Sequence, residues 1–304
     1  MTLIVTLNTP ETIWVLGDRR LTDNGRVVRE DARKIMTLET RDGVALLAYA
    51  GLGATPRGTE PADWMSGVLR GRNLLMEESL SVLARAMKEQ LPRHMVRMRG
   101  PGGPAHNLLI PAFVNGELRL YSIDLAFMPD RRNYYFRYTR HIIDRTIGTK
   151  KPKTKRVAIS GSGGLHLLKR DPRWARDLDR LTRASDERKV SQKTVADHLA
   201  ALNLSVHRVD RLVGPKCIVV WRNRQGGVHG GGGGGQYYDG TEHDRGTSTP
   251  LPIIGCGMDI TALIRVLRSV PTGIRVVKPT DKPEVETPGE RLSDLPTHPD
   301  EELR

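Results

Sequence analysis

The sequence predicts an α+β fold in which two packed sheets lie between outer helices. Three observations carry this. Patterned segments run in the order strands, two helices, strands, two helices and a strand, the alternation that two sheets with helical outer layers require. Hydrophobic residues make up 38% of the 304 residues, with 31 glycines besides, close to a globular average. About 270 residues carry ordered patterns, enough for one large domain to bury a substantial core without a metal or disulfide scaffold.

The first element is a strand over Leu3-Ile4-Val5-Thr6-Leu7, followed by turn chemistry at Asn8-Thr9-Pro10-Glu11. With that turn, strand positions pair when their numbers sum to about 20, so Thr2 faces Asp18. Directly opposed residues have Cβ atoms roughly 4.5–5.5 Å apart, which sets the Asp18 carboxylate beside Thr2 with no tertiary assumption. A second hairpin is expected from Arg26-Val27-Val28-Arg29 answered by Lys34-Ile35-Met36-Thr37, with Lys34 opening the return strand at the same end of the sheet. Pro61–Leu69 reads as a helical turn around Trp64, and Leu80, Ala84, Met87 and Leu91 line a helix that Pro92 ends.

Strands over 106–114 and 117–123 flank Asn115-Gly116, a strong hairpin signal. Further strands are expected at 134–138 and Val157–Ser160, the latter running into the turn Gly161-Ser162-Gly163-Gly164 and a helix through Leu165 and Leu168. Val195, Leu199, Leu202 and Val206 form the next helical face, with Ser191 as its N-cap. An apolar strand Cys217-Ile218-Val219-Val220 follows. Gly226-Gly227 and the glycines of 230–235 read as a flexible tract, a surface loop within an insertion over 226–257. Residues 259–270 read as an amphipathic helix that closes a domain spanning 2–270. The Pro- and charge-rich 271–304 reads as a disordered tail.

Chemistry concentrates at the start. Removal of Met1 leaves Thr2 with a hydroxyl and an α-amine on one residue, a nucleophile and a general base, if nearby charges keep the amine neutral and aimed at the hydroxyl. Lys34 is the candidate cation and Asp18 its counter-ion. Each residue alone has a plain reading: Thr2 permits methionine removal, Asp18 is a turn acid, Lys34 a solvated strand end. Their joint spacing is what marks them.

Thr2-Leu3-Ile4-Val5, Gly17-Asp18-Arg19-Arg20, Asp31-Ala32-Arg33-Lys34-Ile35 and Tyr49-Ala50-Gly51-Leu52-Gly53-Ala54 together resemble the start of a proteasome β-type subunit and the simpler bacterial peptidases of that family. The turn at Gly161-Ser162-Gly163-Gly164 and the segment from Asp210 through Gly214 to Cys217 resemble its later motifs more weakly. The resemblance implies a four-layer αββα sandwich of two antiparallel sheets between helix layers, the N-terminal nucleophile hydrolase fold. It implies Thr2 as nucleophile, Asp18 and Lys34 as its activating pair, Gly53 N–H as oxyanion donor with Gly51 as fallback, and Ser162 and Asp210 orienting the amine. Gly163 allows close approach and Arg20 braces the loop. One departure is Val213, where the family carries a serine that bonds the amine.

On that resemblance the activity is threonine-type endopeptidase cleavage of unfolded polypeptides, in a cytoplasmic self-compartmentalised homo-oligomeric ring, optionally fed by an ATP-dependent unfoldase, with no cofactor and no metal. Three alternatives stay open: a small-amide hydrolase of the same nucleophile class, an inactive structural subunit, and a nucleic-acid-binding subunit. The last rests on the net charge of +13 and on Arg131, Arg132, Arg137, Arg140, Arg145, Lys150, Lys151, Lys153, Lys155 and Arg156, interleaved with Tyr134, Tyr135, Phe136 and Tyr138. Gly161-Ser162-Gly163-Gly164 lacks the Lys-Ser/Thr ending of a phosphate-binding loop. Cys217 and Cys256 form no metal spacing or disulfide framework. No stretch approaches the roughly 18 apolar residues of a membrane span, and an early acid at Asp18 is unlike a signal peptide.

Overall fold

The computed structural model describes residues 2–23, 26–51, 59–90, 107–127, 134–143, 153–154, 156–169, 172–187, 189–224, 232–240 and 251–269. Within them the chain is a mixed α+β fold. Its strands are β1 (Ile4–Asn8), β2 (Thr12–Asp18), β3 (Leu21–Asp23), β4 (Arg26–Arg29), β5 (Ile35–Thr40), β6 (Gly43–Ala50), β7 (Asn107–Val114), β8 (Glu117–Phe127), β9 (Tyr134–Arg140), β10 (Ile142–Ile143), β11 (Lys153–Thr154), β12 (Val157–Ser160), β13 (Cys217–Asn223), β14 (Gly233–Tyr238), β15 (Ile253–Gly255) and β16 (Met258–Asp259). Its helices are α1 (Pro61–Leu69), α2 (Met76–Gln90), α3 (Gly164–Lys169), α4 (Pro172–Asp186), α5 (Gln192–Val209) and α6 (Ile260–Ser269).

A five-stranded sheet runs β12-β1-β2-β13-β14 and a seven-stranded sheet runs β16-β15-β5-β6-β7-β8-β9. The first is antiparallel throughout. In the second, β15 joins β5 in parallel, which corrects the expectation of two purely antiparallel sheets. In chain order β15 comes long after β5, with β6 to β14 between them, and parallel partners need such a crossover connection rather than a hairpin.

Three apolar clusters hold these elements. Met36, Leu47 and Ile110 of the seven-stranded sheet pack with Leu80 and Met87 of α2 and Met65 of α1. Leu3, just ahead of β1, and Trp14 and Val219 of the five-stranded sheet pack with Leu178 of α4 and Leu199 and Val206 of α5. A third cluster draws on both sheets, with Ile4, Val15 and Val220 against Ile35, Leu46 and Phe113. Strand β1 is therefore buried on both faces, which is why it reads as a continuous apolar run rather than an alternating one. Each such side chain contributes about 1.5–3 kcal/mol on burial.

Several local expectations hold. Asn115 and Gly116 take φ of 50° and 74°, the two positive values that a tight hairpin turn requires. Ser191 caps α5 by accepting from Thr194 N–H at 3.0 Å. Leu80, Ala84 and Met87 are buried on α2, and Val195, Leu199, Leu202 and Val206 on α5. Cys217 is a buried free thiol. Pro61–Leu69 is a full helix with proline at its first turn, and Trp64 stacks edge-on to Tyr49 at 6.4 Å.

Other expectations are corrected. The first hairpin pairs Ile4 with Gly17 and Asn8 with Ile13, so partner numbers sum to 21 rather than 20. The turn is the two-residue Pro10-Glu11: Thr9 Oγ1 accepts from Thr12 N–H at 3.0 Å, while Asn8 stays in the strand and donates its N–H to Arg156 O at 2.7 Å. Strand β4 pairs with β3 and not with β5. All four residues of β4 are exposed, whereas β5 is buried along nearly its whole length and takes the equally buried β6 as neighbour. Part of the glycine tract is ordered structure: Gly233–Tyr238 is the edge strand β14 on β13, and Ile253–Gly255, also inside the expected insertion, joins the main sheet. Helix α4 has no counterpart in the sequence reading.

Leu91, Pro92, His106, Gly226-Gly227, Gly230, the segment 271–304 and most of the basic segment, including Arg131, Arg132, Arg145, Lys150, Lys151 and Lys155, lie outside the described residues. Among the described residues no helix is long and apolar enough to cross a membrane.

Candidate active site

The site lies where β1, β2 and β5 begin or end together. The one-residue register shift moves Asp18 from opposite Thr2 to opposite Leu3. Asp18 N–H donates to Leu3 O at 3.1 Å, and Leu3 N–H donates to Asp18 Oδ1 at 2.9 Å. A slip of one residue exchanges the faces of a strand, so direct Thr2–Asp18 opposition is lost. Lys34 restores the connection. Its Nζ donates to Thr2 Oγ1 at 3.2 Å, to Asp18 Oδ1 at 3.1 Å and to Arg20 O at 2.6 Å.

Three acceptors around one ammonium saturate its three protons. All participants are buried: Thr2, Asp18, Arg20 and Lys34 are each less than 9% exposed. Burial pushes the Lys34 ammonium below its ordinary range, and Asp18 pulls it back up. Asp18 is held in turn by backbone. Its Oδ2 accepts from Arg20 N–H and Gly214 N–H, each at 3.2 Å. A carboxylate with these N–H donors and an ammonium is fixed in place and compensated for its burial.

Arg20 lies at the same corner. Its guanidinium donates to Arg211 O and Glu30. Gly214 must come close to it, since a Cβ at 214 would sit 2.6 Å from Arg20 Cβ.

The opposite wall is the turn after β12. Thr2 nitrogen donates to Ser162 Oγ at 3.3 Å, and Gly163 N–H donates to Thr2 O at 3.1 Å. The turn thus brings Ser162 and Gly163 to Thr2. Asp210 caps the end of α5 and accepts from Leu212 N–H at 3.0 Å. Its other oxygen is 3.9 Å from His166 Nε2, a histidine that the sequence reading left without a role. Val213 is fully buried and fills space rather than bonding the amine. Gly51 is exposed with φ of 131°, and Gly53 lies outside the described residues.

Packing at Val213 gives a direct test. A Cβ at Gly163 would lie 2.6 Å from Val213 Cγ2 and 3.2 Å from Leu3 Cβ. Gly163→Ala is therefore expected to cost about 1–3 kcal/mol by overpacking, measured by urea denaturation. Adding Val213→Ala removes the nearest atom and recovers a large part of that loss, seen as a favourable coupling in the double-mutant cycle. Strict additivity of the two substitutions would mean that Val213 does not crowd Gly163.

Sequence reasoning missed the Gly214 N–H, which holds the Asp18 carboxylate from a helix-to-strand turn 196 positions away.

No family model matches the chain, and no curated protein matches it. Among solved structures it is similar to Anbu (ancestral beta-subunit) from Yersinia bercovieri, at 14% identity and a TM-score of 0.40, over 72% of this chain and 80% of that one.

Proposed function

We propose that the protein is an N-terminal nucleophile amide hydrolase, a threonine-type peptidase whose nucleophile is Thr2 after removal of Met1. The fold we assign to it is a four-layer αββα sandwich, a reading supported by one apolar cluster shared by the two sheets and one between each sheet and its helices. The observation that carries the activity is the buried Lys34 ammonium, within 3.2 Å of Thr2 Oγ1 and 3.1 Å of Asp18 Oδ1. A buried lysine paired to one acid and aimed at one hydroxyl is costly to build, and functional sites are where such costs concentrate.

In this reading Thr2 Oγ1 attacks an amide carbonyl while the Thr2 α-amine takes the hydroxyl proton. An α-amine titrates near pH 7.7–8.0 when unperturbed, close to the ideal for a general base at neutral pH. Lys34 lowers the cost of negative charge on Oγ1, and Ser162 holds the amine. The tetrahedral adduct collapses to an ester on Thr2 as the C–N bond breaks, and the amine leaves with the proton. Water then hydrolyses the ester by the same acid–base route and returns the free hydroxyl. Unfolded polypeptide substrates, assembly into a ring and feeding by an ATP-dependent unfoldase extend the same proposal.

The test is chemical. Incubation with a β-lactone, followed by intact-mass measurement and peptide mapping, is expected to show Met1 absent and one adduct on Thr2. Thr2→Ala is expected to lose both the adduct and amide cleavage. A Thr2→Ala protein that still cleaves amides at the wild-type rate rules the proposal out.

A further inference from the structure

We infer that Glu60 is a positioning residue for Lys34, acting through the peptide unit of Arg33; this rests on the reading of Thr2 and Lys34 given above. Glu60 occupies the N-cap position of α1, yet its side chain makes no capping bond to that helix. An acid at this position ordinarily turns toward the helix's own free N–H groups. Here the carboxylate turns away, toward β5. Its Oε2 accepts from Arg33 N–H at 3.0 Å and from Arg33 Nε at 2.7 Å, and its Oε1 pairs with Arg29 at 2.9 Å. The Glu60 side chain is only 5% exposed, so these bonds act in a setting with little competing water.

The grip is two-sided. While Glu60 holds the Arg33 N–H, Ala62 N–H on the first turn of α1 donates to Arg33 O at 3.1 Å. Glu60 is itself fixed, because Pro61 restricts it to extended backbone, observed at φ −75° and ψ 156°, and its carbonyl accepts from Trp64 N–H at 2.8 Å. On the far side of the lysine, Tyr49 N–H donates to Lys34 O at 3.0 Å. Lys34 therefore leaves a backbone clamped both before and after it. A long flexible side chain keeps three acceptors at once only if its Cα is held still, because every backbone displacement is carried to the ammonium.

The charged and titratable groups that face this clamp come from three directions: Arg29 at the end of β4, itself paired with Asp31 at 2.9 Å, Asp63 on α1, which accepts from Arg33 at 2.6 Å, and Tyr237 on β14, whose phenol is kept neutral by burial and feels both Arg33 and Glu60. Arg33 and Glu60 thus form the middle of a network that joins α1 to the head of the lysine strand. If the clamp serves Lys34, loosening it must change the titration of the Thr2 amine, which senses how near the ammonium lies. A clamp that merely stabilised the fold would change the melting temperature and leave that titration alone.

The experiment measures the rate of Thr2 acylation by a β-lactone from pH 5 to 10 in the full chain, beside its melting temperature. Glu60→Ala is expected to slow acylation about 10-fold to 100-fold, the scale of a small misplacement at a reacting centre, and to move the pH midpoint by about half a unit or more. Glu60→Gln retains the length and an acceptor for Arg33 N–H, so it is expected to stay within about threefold of wild type with the midpoint unchanged. Glu60→Ser, which admits water to both guanidinium groups, takes the place of Glu60→Ala should that variant not fold. Wild-type rate and midpoint in a folded Ala or Ser variant overturn the inference. A wild-type chain that never labels on Thr2 overturns the catalytic reading, and this inference with it, before any Glu60 variant is compared.

Discussion

Lys34→Met is expected to slow acylation of Thr2 by roughly 100-fold to 1,000-fold, the range for deleting one donor aimed at developing charge. It is also expected to cost about 3–5 kcal/mol of stability. The second effect follows from what the substitution leaves behind. Asp18 is 1% exposed, and its Oδ1 faces Lys34 Nζ at 3.1 Å. Methionine fits the volume but strands the carboxylate and the Arg20 carbonyl, which accepts from the same ammonium. Removing one member of a buried ion pair is worse than removing both. Lys34→Met combined with Asp18→Asn is accordingly expected to regain part of the stability, since it removes the unpaired buried charge while an amide oxygen in the place of Oδ2 still accepts from Arg20 N–H and Gly214 N–H, leaving only the Leu3 N–H without its acceptor. It is expected to regain none of the acylation rate. Urea denaturation and a labelling time course separate the two outcomes, and a double variant no more stable than Lys34→Met would contradict the pair-based account.

The same lysine sets a pH dependence whose sign is fixed. Its folded-state pKa lies below the ordinary 10.5, chiefly through burial. Between the lowered value and 10.5 the unfolded chain holds a proton that the folded chain does not, so stability rises with pH across that window. This contribution is full above 10.5 and is lost as pH falls toward the folded-state value. The slope should vanish in Lys34→Met, which is checked by denaturant midpoints at several alkaline pH values.

What could be read from the sequence depended on whether a feature was local. Thr2, Asp18 and Lys34 were found by spacing, and the structure brings them together, although by a different register from the one expected. The turn was misplaced because Asn8-Thr9-Pro10-Glu11 has turn character throughout. Thr9 decides the matter with its own hydroxyl, a preference invisible in composition. Helix α5 was legible because its apolar face is regular and Ser191 caps it. Helix α4 was not, although Trp174, Leu178 and Leu181 sit at helical spacing and pack on the same cluster. The arginines and aspartates between them dominate the local composition.

Strand β14 runs against strand propensity in its first half, where three glycines stand in a row. It exists because β13 has a free edge and Trp221 lies across it. A Cβ at Gly234 would fall 2.4 Å from the Trp221 ring, so glycine is what lets the edge strand approach. Bonds to a distant peptide, such as that of the Glu60 carboxylate with Arg33 N–H, are equally silent in sequence. Their partners are chosen by how α1 packs on β5.

Gly161→Ala tests the wall opposite the lysine, and its effect is expected to be large for two separable reasons. Gly161 has φ of +87°, where a side chain costs about 1–2 kcal/mol. Its added Cβ would also lie 2.0 Å from the Thr2 carbonyl oxygen and 2.8 Å from its carbon. Neither atom can rotate away, because Thr2 O is the acceptor of Gly163 N–H. The chain must shift Thr2, the Ser162 turn or both, so Thr2 nitrogen parts from Ser162 Oγ. We expect a loss of about 3–5 kcal/mol, within the range for backbone strain plus overpacking, and acylation slowed by about 100-fold. Gly71 supplies the control, with a similar φ of +77° and open space where its Cβ would go. Gly71→Ala pays for the backbone conformation alone, and the difference between the two variants is the cost of the collision with Thr2. Equal losses in stability, with labelling intact in both, would show that the turn does not hold the nucleophile.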